Sequence, residues 1–256
     1  MFTKEKIIVT IIIDPGHGGA DPGAVGNGMR ESDIVLETSL TLRTLLAAYE
    51  NVNIIMTRER DTGLTLAQRV DIANRSSGAL FISVHVNAGG GHGVETFFAN
   101  TKPGDRVLAQ HLTDNIAIGM SLRNRGARSD IISGAGSLTV LRNTRMSAVL
   151  IELAFIDAPF GHNDIAALRN NRRQFAEVIA NSIARFYNLK KGGQNMTTCN
   201  CTPQPQRDIN ALAPWAQEAW QWAVLNNITD GTRPNDFITR QEVIALLHRF
   251  DNYLKK

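Results

Sequence analysis

The sequence predicts an α/β protein, a three-layer sandwich around a mainly parallel sheet, with a small helical module after it. Three observations lead there. Over residues 1–189 short β-rich apolar runs alternate with amphipathic stretches, the order in which βαβ units are read. Some of those runs, such as Val149-Leu150-Ile151, are apolar at every position, as strands covered by helices on both faces must be. From Lys190 the periodicity stops and a polar, Gly- and Pro-bearing stretch follows, which has the composition of a linker. The expected division is a main domain over residues 1–189, a linker over 190–207 and a module over 208–256.

In chain order, the first strand is expected at residues 7–13 and the first helix at about 33–49. A strand at 53–57 and a helix at 66–74 continue the pattern. Apolar runs at 80–86 and 95–99 come next, then a helix at about 107–120, further apolar runs at 138–141 and 149–155, and a helix at about 174–187. Within the module, two short helices are expected at 214–225 and 239–250. The second opens with Thr239 and Glu242, spaced as a capping box.

A chain of 256 residues has room for one full domain and a smaller appendage. Its 43% hydrophobic and 20% charged residues are those of an ordinary soluble protein, and no apolar run approaches the roughly 18 residues of a membrane span. A net charge of +3 favours anionic surroundings but is too diffuse to indicate nucleic-acid binding. No membrane partner is expected either. Residues 1–6 and the short apolar run behind them read as the approach to a strand, not as a signal peptide. Cys199 and Cys201, one residue apart, suit neither a disulfide framework nor a four-ligand metal site and are expected to be free thiols.

The chemistry begins where the first strand ends, in Asp14-Pro15-Gly16-His17-Gly18-Gly19. Glycines let the backbone turn sharply there and leave the His17 imidazole exposed. Glu31 begins the next helix, and His85 ends the run Phe81-Ile82-Ser83-Val84-His85, so three elements can converge on one point. Two His and one carboxylate make a catalytic zinc set, which leaves a position for water and lowers its pKa towards roughly 7. Glu152 follows the apolar run 149–151, where a carboxylate is unexpected without a task; it is the proposed general base and acid. The bland alternatives are a strand-capping turn residue for His17, a helix N-terminal carboxylate for Glu31 and a buried structural acid for Glu152. His92, in a Gly-rich loop, is a weaker candidate for touching substrate. His111, His162 and His248 read as surface or core residues.

Together, Asp14-Pro15-Gly16-His17-Gly18-Gly19, Glu31, Ser83-Val84-His85-Val86-Asn87-Ala88 and Glu152-Leu153-Ala154-Phe155 make the chain resemble the zinc-dependent N-acetylmuramoyl-L-alanine amidases of the amidase-3 family. The likeness spans roughly residues 6–188. It extends to Thr57-Arg58 with Asp61, Leu66-Ala67-Gln68-Arg69 ahead of Ala73-Asn74, Gly93-Val94-Glu95 and Leu138-Thr139-Val140-Leu141-Arg142. The resemblance implies that His17, Glu31 and His85 bind Zn2+ and that Glu152 moves the proton. It also implies that the substrate is peptidoglycan, cut between N-acetylmuramic acid and L-alanine. Ser147, Ala154 and Ala158 depart from the family's usual Pro, Gly and Asn, which bears on packing more than on chemistry. The stretch between Arg123 and Ser137 is too short for the long blocking helix of regulated relatives, so an uncovered site is expected.

Residues 215–242, from Trp215 through Asn227-Ile228-Thr229-Asp230-Gly231 to Glu242, resemble one S-layer homology repeat, which implies binding to cell-wall polysaccharide. Such repeats usually act in threes, so further copies are expected from elsewhere. Lys191-Gly192-Gly193 shortly before Met196 can be encoded by a ribosome-binding sequence. A second product covering residues 196–256 would supply those copies by self-association. A wall hydrolase without a signal peptide fits a phage endolysin held in the host cytoplasm until a membrane pore releases it to the wall. The alternatives are a bacterial mother-cell or autolytic amidase, a zinc peptidase, and a non-catalytic wall-binding protein.

Overall fold

The computed structural model describes residues 8–133 and 137–192. The chain divides into two units, Met1–Gly193 and Gln194–Lys256. The expected module helices, the Thr239 and Glu242 cap, the S-layer-like repeat, Met196, His248 and both cysteines lie outside the described residues.

Strand β1 (Val9–Pro15) leads through a loop to a two-residue hairpin, β2 (Val25–Gly26) and β3 (Met29–Arg30), and into α1 (Glu31–Leu46). Next come β4 (Val52–Met56), α2 (Leu66–Arg75), β5 (Leu80–Asn87), β6 (Val94–Phe98), α3 (Asp105–Met120) and β7 (Asn124–Ser129). A single 3-10 turn at Asp130–Ile132 is followed by α4 (Thr139–Asn143), β8 (Ser147–Phe155), α5 (Asp164–Asn170) and α6 (Arg172–Phe186).

The sheet has six strands in the order β4-β1-β5-β8-β6-β7. All neighbours run parallel except β6 and β8. Because successive side chains of a strand point to opposite faces, β1 feeds two cores. Ile11 and Ile13 pack into the larger one with Leu42, Leu112, Phe175 and Ile179, under α1, α3 and α6. Ile12 enters the smaller one with Ala73, Phe81, Phe97, Val140 and Leu141, under α2 and α4. These are the three expected layers. Each fully buried aliphatic or aromatic side chain contributes about 1.5–3 kcal/mol of transfer free energy.

Local signals set the ends of several elements. α2 starts in a reciprocal cap in which Gln68 N donates to Thr65 Oγ1 (3.2 Å) and Thr65 N to Gln68 Oε1 (2.8 Å). The run at 138–141 belongs to α4; four apolar-rich residues do not carry enough period to declare their type. β7 and α5 stand where no element is expected from sequence. β7, Asn124-Arg125-Gly126-Ala127-Arg128-Ser129, is a half-buried edge strand with no apolar alternation, so the usual signal is missing.

Candidate functional site

Strands β1, β5 and β8 are neighbours and parallel, so their C-terminal ends open on the same edge of the sheet, where α/β proteins usually bind ligands. Each delivers one side chain there. β1 ends at Pro15, and two residues later His17 adopts φ 57, a left-handed conformation in which His is enriched but still costly. The turn is held from below by a buried network. Arg69 Nη1 donates to Asp14 Oδ1 and to the Pro15 carbonyl, both at 2.7 Å, and Arg69 Nη2 to the His17 carbonyl at 2.7 Å. Arg58 Nη2 donates to the carbonyls of Gly16 (2.7 Å) and Ser32 (3.0 Å). Thr57 Oγ1 and Ser83 Oγ complete the shell of the Asp14 carboxylate at 2.6 and 2.7 Å. From above, Asp61 accepts from Gly19 N at 2.7 Å.

Glu31 opens α1 and is 3% exposed. Its Oε2 accepts from Ala24 N (2.8 Å) and its Oε1 from Val86 N (2.9 Å). The same Oε1 lies 3.2 Å from His17 Nε2 and 3.0 Å from His85 Nδ1. Burial alone would raise the Glu31 pKa; hydrogen bonds and charge from His17 and His85 outweigh it and hold the carboxyl well below its ordinary range. Burial likewise opposes charge on His17. Glu31 and Asp21 overcome it, raising the imidazole to about 9. Asp21 Oδ2, 2.8 Å from His17 Nδ1, orients the ring from its far side, as carboxylates behind ligating histidines do. Close approach explains two glycines. A Cβ at Gly16 would overlap the His85 ring, and one at Gly23 would fall 2.6 Å from Glu31 Oε2.

One ligand atom from each of His17, Glu31 and His85 lies within 4.8 Å of the other two. The set fits a divalent cation: two imidazoles and a carboxylate are the donors zinc takes. Ligand atoms on a tetrahedral centre with bonds of about 2 Å stand roughly 3.3 Å apart, close to the 3.0 and 3.2 Å separations seen here. Sequence reasoning therefore named three residues that the fold brings together.

Glu152, the fourth, is directly opposite His85 on β5 and opposite Glu95 on β6. Its Oε2 is buried without a hydrogen-bond partner among the described residues. Burial, with the Glu31 and Glu95 charges adding to it against His85 and His17, pushes the carboxyl up to about 7. Glu95 is itself buried, accepting from Asn87 Nδ2 (2.7 Å) and Arg125 Nε (2.8 Å). Asp21, Arg125 and Arg128 are not singled out by the sequence, and Asn87 enters there only inside the motif Ser83–Ala88. Arg58, Arg69, Asp61 and Glu95 had been noted only as parts of the resemblance; their spacing along the chain says nothing of the atoms they support.

The remaining sequence candidates are placed elsewhere. His92 stacks on His162 with ring centroids 3.6 Å apart. His111 Nε2 lies 3.1 Å from the Ser182 carbonyl between α3 and α6. Ser147 Oγ donates to Asp105 Oδ1 at 2.7 Å, while Ala154 and Ala158 are buried. Between β7 and α4, the described residues hold only the 3-10 turn at Asp130–Ile132.

Fold and site together define an α/β protein with a His-Glu-His metal-type centre at the strand ends and a buried, protonatable glutamate beside it. Residues 11–185 match the N-acetylmuramoyl-L-alanine amidase family, Amidase_3, and the chain belongs to that family. It is 36% identical over 188 residues to the N-acetylmuramoyl-L-alanine amidase CwlM of Bacillus licheniformis, covering 72% of this chain and 71% of that one. It is 37% identical over 183 residues to the endolysin of Bacillus phage SPP1, covering 70% and 66%. Among solved structures it is similar to an N-acetylmuramoyl-L-alanine amidase from Clostridium difficile 630. There the TM-score is 0.65 at 29% identity, with 72% of this chain and 98% of that one covered.

Proposed function

We propose that the protein is a zinc-dependent hydrolase of peptidoglycan that cuts the amide between N-acetylmuramic acid and L-alanine. The observation that carries this reading is Glu152, with one buried, unpartnered oxygen, opposite His85 in a sheet whose family is shown. His17, Glu31 and His85 would hold the zinc. When bound, it supplies polarisation of the scissile carbonyl and lowers the pKa of water. Glu152 takes a proton from the attacking water and returns it to the departing alanine nitrogen. Its high pKa suits both halves of that exchange, since a carboxyl near neutrality accepts and donates with little bias. Asp21 fixes the His17 ring, while the Asp14, Arg58 and Arg69 network fixes the turn that carries it.

The test is turbidity loss of purified Gram-positive walls with wild type and Glu152→Ala, alongside zinc content and mass spectrometry of released fragments. Stems that begin with free L-alanine, together with a zinc-loaded but inactive variant, support the reading. Cuts within the stem would make the protein a peptidase, and zinc-loaded wild type that lyses no wall would make it a binding protein.

The likeness to a phage endolysin supports lysis of a bacterial host as the setting, with action at the wall after release from the host cytoplasm. The reading of domains as 1–189, 190–207 and 208–256 stands as part of the proposal, with the last segment as a module for wall polysaccharide. A second product over residues 196–256 would bring further copies of that module to each full-length chain. Expression of Met196→Leu tests this: loss of a short species supports internal initiation, and its persistence excludes it.

A further inference from the structure

We propose that Arg125 and Arg128 form a carboxylate-binding fork for the peptide that leaves the scissile bond, reading an acidic group on its second residue. This rests on the amidase reading of the same site.

The geometry begins with a bulge. Along β6 and β7, Val94 pairs with Asn124 but Thr96 pairs with Ala127, so β7 carries an extra residue, and Gly126 supplies the left-handed backbone at φ 79. That irregularity brings two arginines three positions apart to the same carboxylate. Arg125 Nε and Arg128 Nε both lie 2.8 Å from Glu95 Oε2. One cation suffices to neutralise Glu95, so the second is surplus.

The two are held unequally. Arg125 donates a hydrogen bond to Glu95 and lies 4.8 Å over the Phe155 ring. Arg128 Nε makes no hydrogen bond among the described residues in spite of its distance, and pairs with Glu95 by charge. Among the described residues, neither arginine's terminal Nη atoms have a protein partner, and the side chains are 20% and 34% exposed. A partly exposed guanidinium whose Nη groups have no partner among the described residues presents the planar donor pair that fits a carboxylate.

Position favours a substrate group over a distant one. Glu95 faces Glu152 directly across β6 and β8, and β7 is the next strand out. At about 4.8 Å per strand the arginine backbones stand roughly 10 Å from that of Glu152. An extended peptide advances about 3.4 Å per residue, so the second residue's carboxylate falls roughly 7 Å beyond the reacting nitrogen, within reach of an arginine side chain.

The probes are two soluble disaccharide-tetrapeptides identical except at the second stem residue, D-isoglutamate in one and D-isoglutamine in the other. Wild type is expected to favour the acid by about tenfold in kcat/KM, carried by KM, and to lose part of that preference as salt rises. Arg128→Gln leaves Arg125 on Glu95 and is expected to reduce the ratio to about 1–3, with Arg128→Lys between. Melting curves establish that each variant is folded. Equal wild-type rates on the two probes, or a folded Arg128→Gln that keeps the full ratio, overturn the fork while leaving the amidase reading standing. A variant that keeps the ratio but loses activity on walls rich in phosphate polymers would assign the fork to wall phosphate and also overturn it. Hydrolysis of neither probe by zinc-loaded wild type would refute the amidase reading, and the fork with it.

Discussion

Two carboxylates, Glu31 and Glu152, both neighbour His85, yet their surroundings drive them in opposite directions. Glu31 sits where a loop, a helix start and a strand end meet, and both oxygens accept backbone hydrogen bonds in addition to facing two imidazoles. Glu152 sits within a strand, with one oxygen unpartnered and Glu95 across from it. Saturation with donors favours the anion, and desolvation without them favours the acid. The difference separates a group suited to hold a cation from one suited to carry a proton, although the residue type is the same.

The largest effects should come from exchanging charge for its isostere at each position. Glu152→Gln is expected to lower turnover by roughly 10³-fold with zinc retained, whereas Glu31→Gln should lose zinc and turnover together. Metal analysis beside wall-lysis rates tests this, and zinc loss from both variants would erase the contrast. Next in size is the scaffold on the Glu31 side. Arg69→Met strands the buried Asp14 charge and should cost about 3–5 kcal/mol, visible as a large fall in melting temperature.

Acidity sharpens the contrast further. As a base Glu152 must be ionised, so kcat/KM should fall about tenfold per pH unit on the acid side. That limb belongs at or below pH 7, because burial raises the carboxyl to about 7 and a bound cation would draw it down. His17 acts in the same direction, but through the metal. Metal-free His17 stays protonated up to about 9, so zinc must displace its proton and affinity should weaken by up to tenfold per unit below that pH. Calorimetry in buffers of different ionisation enthalpy would register proton release at neutral pH. The smallest effect is the control. Thr65→Ala removes the α2 cap, remote from both carboxylates, and should cost about 1 kcal/mol of stability with the pH profile unmoved.

Much of this was legible before any coordinates. Alternating apolar runs announced the layers, because burial on both faces leaves a strand few polar positions. His17, Glu31 and His85 were recognisable because they sit at ends of elements, where side chains from distant sequence can meet. What stayed hidden lacked such a signature. β7 is polar and half-buried, α4 and α5 are too short to show a period, and Arg125 reaches Glu95 only through a bulge whose register depends on the partner strand. The charges that add to burial at Glu152 were also beyond reach, since Glu31 and Glu95 come near it only in the folded sheet.

The strand order has a consequence for how the chain becomes active. Among the described residues β8 is the last strand in sequence, but it lies in the middle of the sheet, between β5 and β6. Until Ser147–Phe155 has been synthesised and inserted, β5 and β6 lack the neighbour that joins them, and the larger core lacks its central wall. Assembly must therefore wait for contacts between residues far apart in the chain, a topology that folds slowly. A ribosome that stops short of β8 releases no partly working enzyme, because the strand that completes the sheet also carries Glu152.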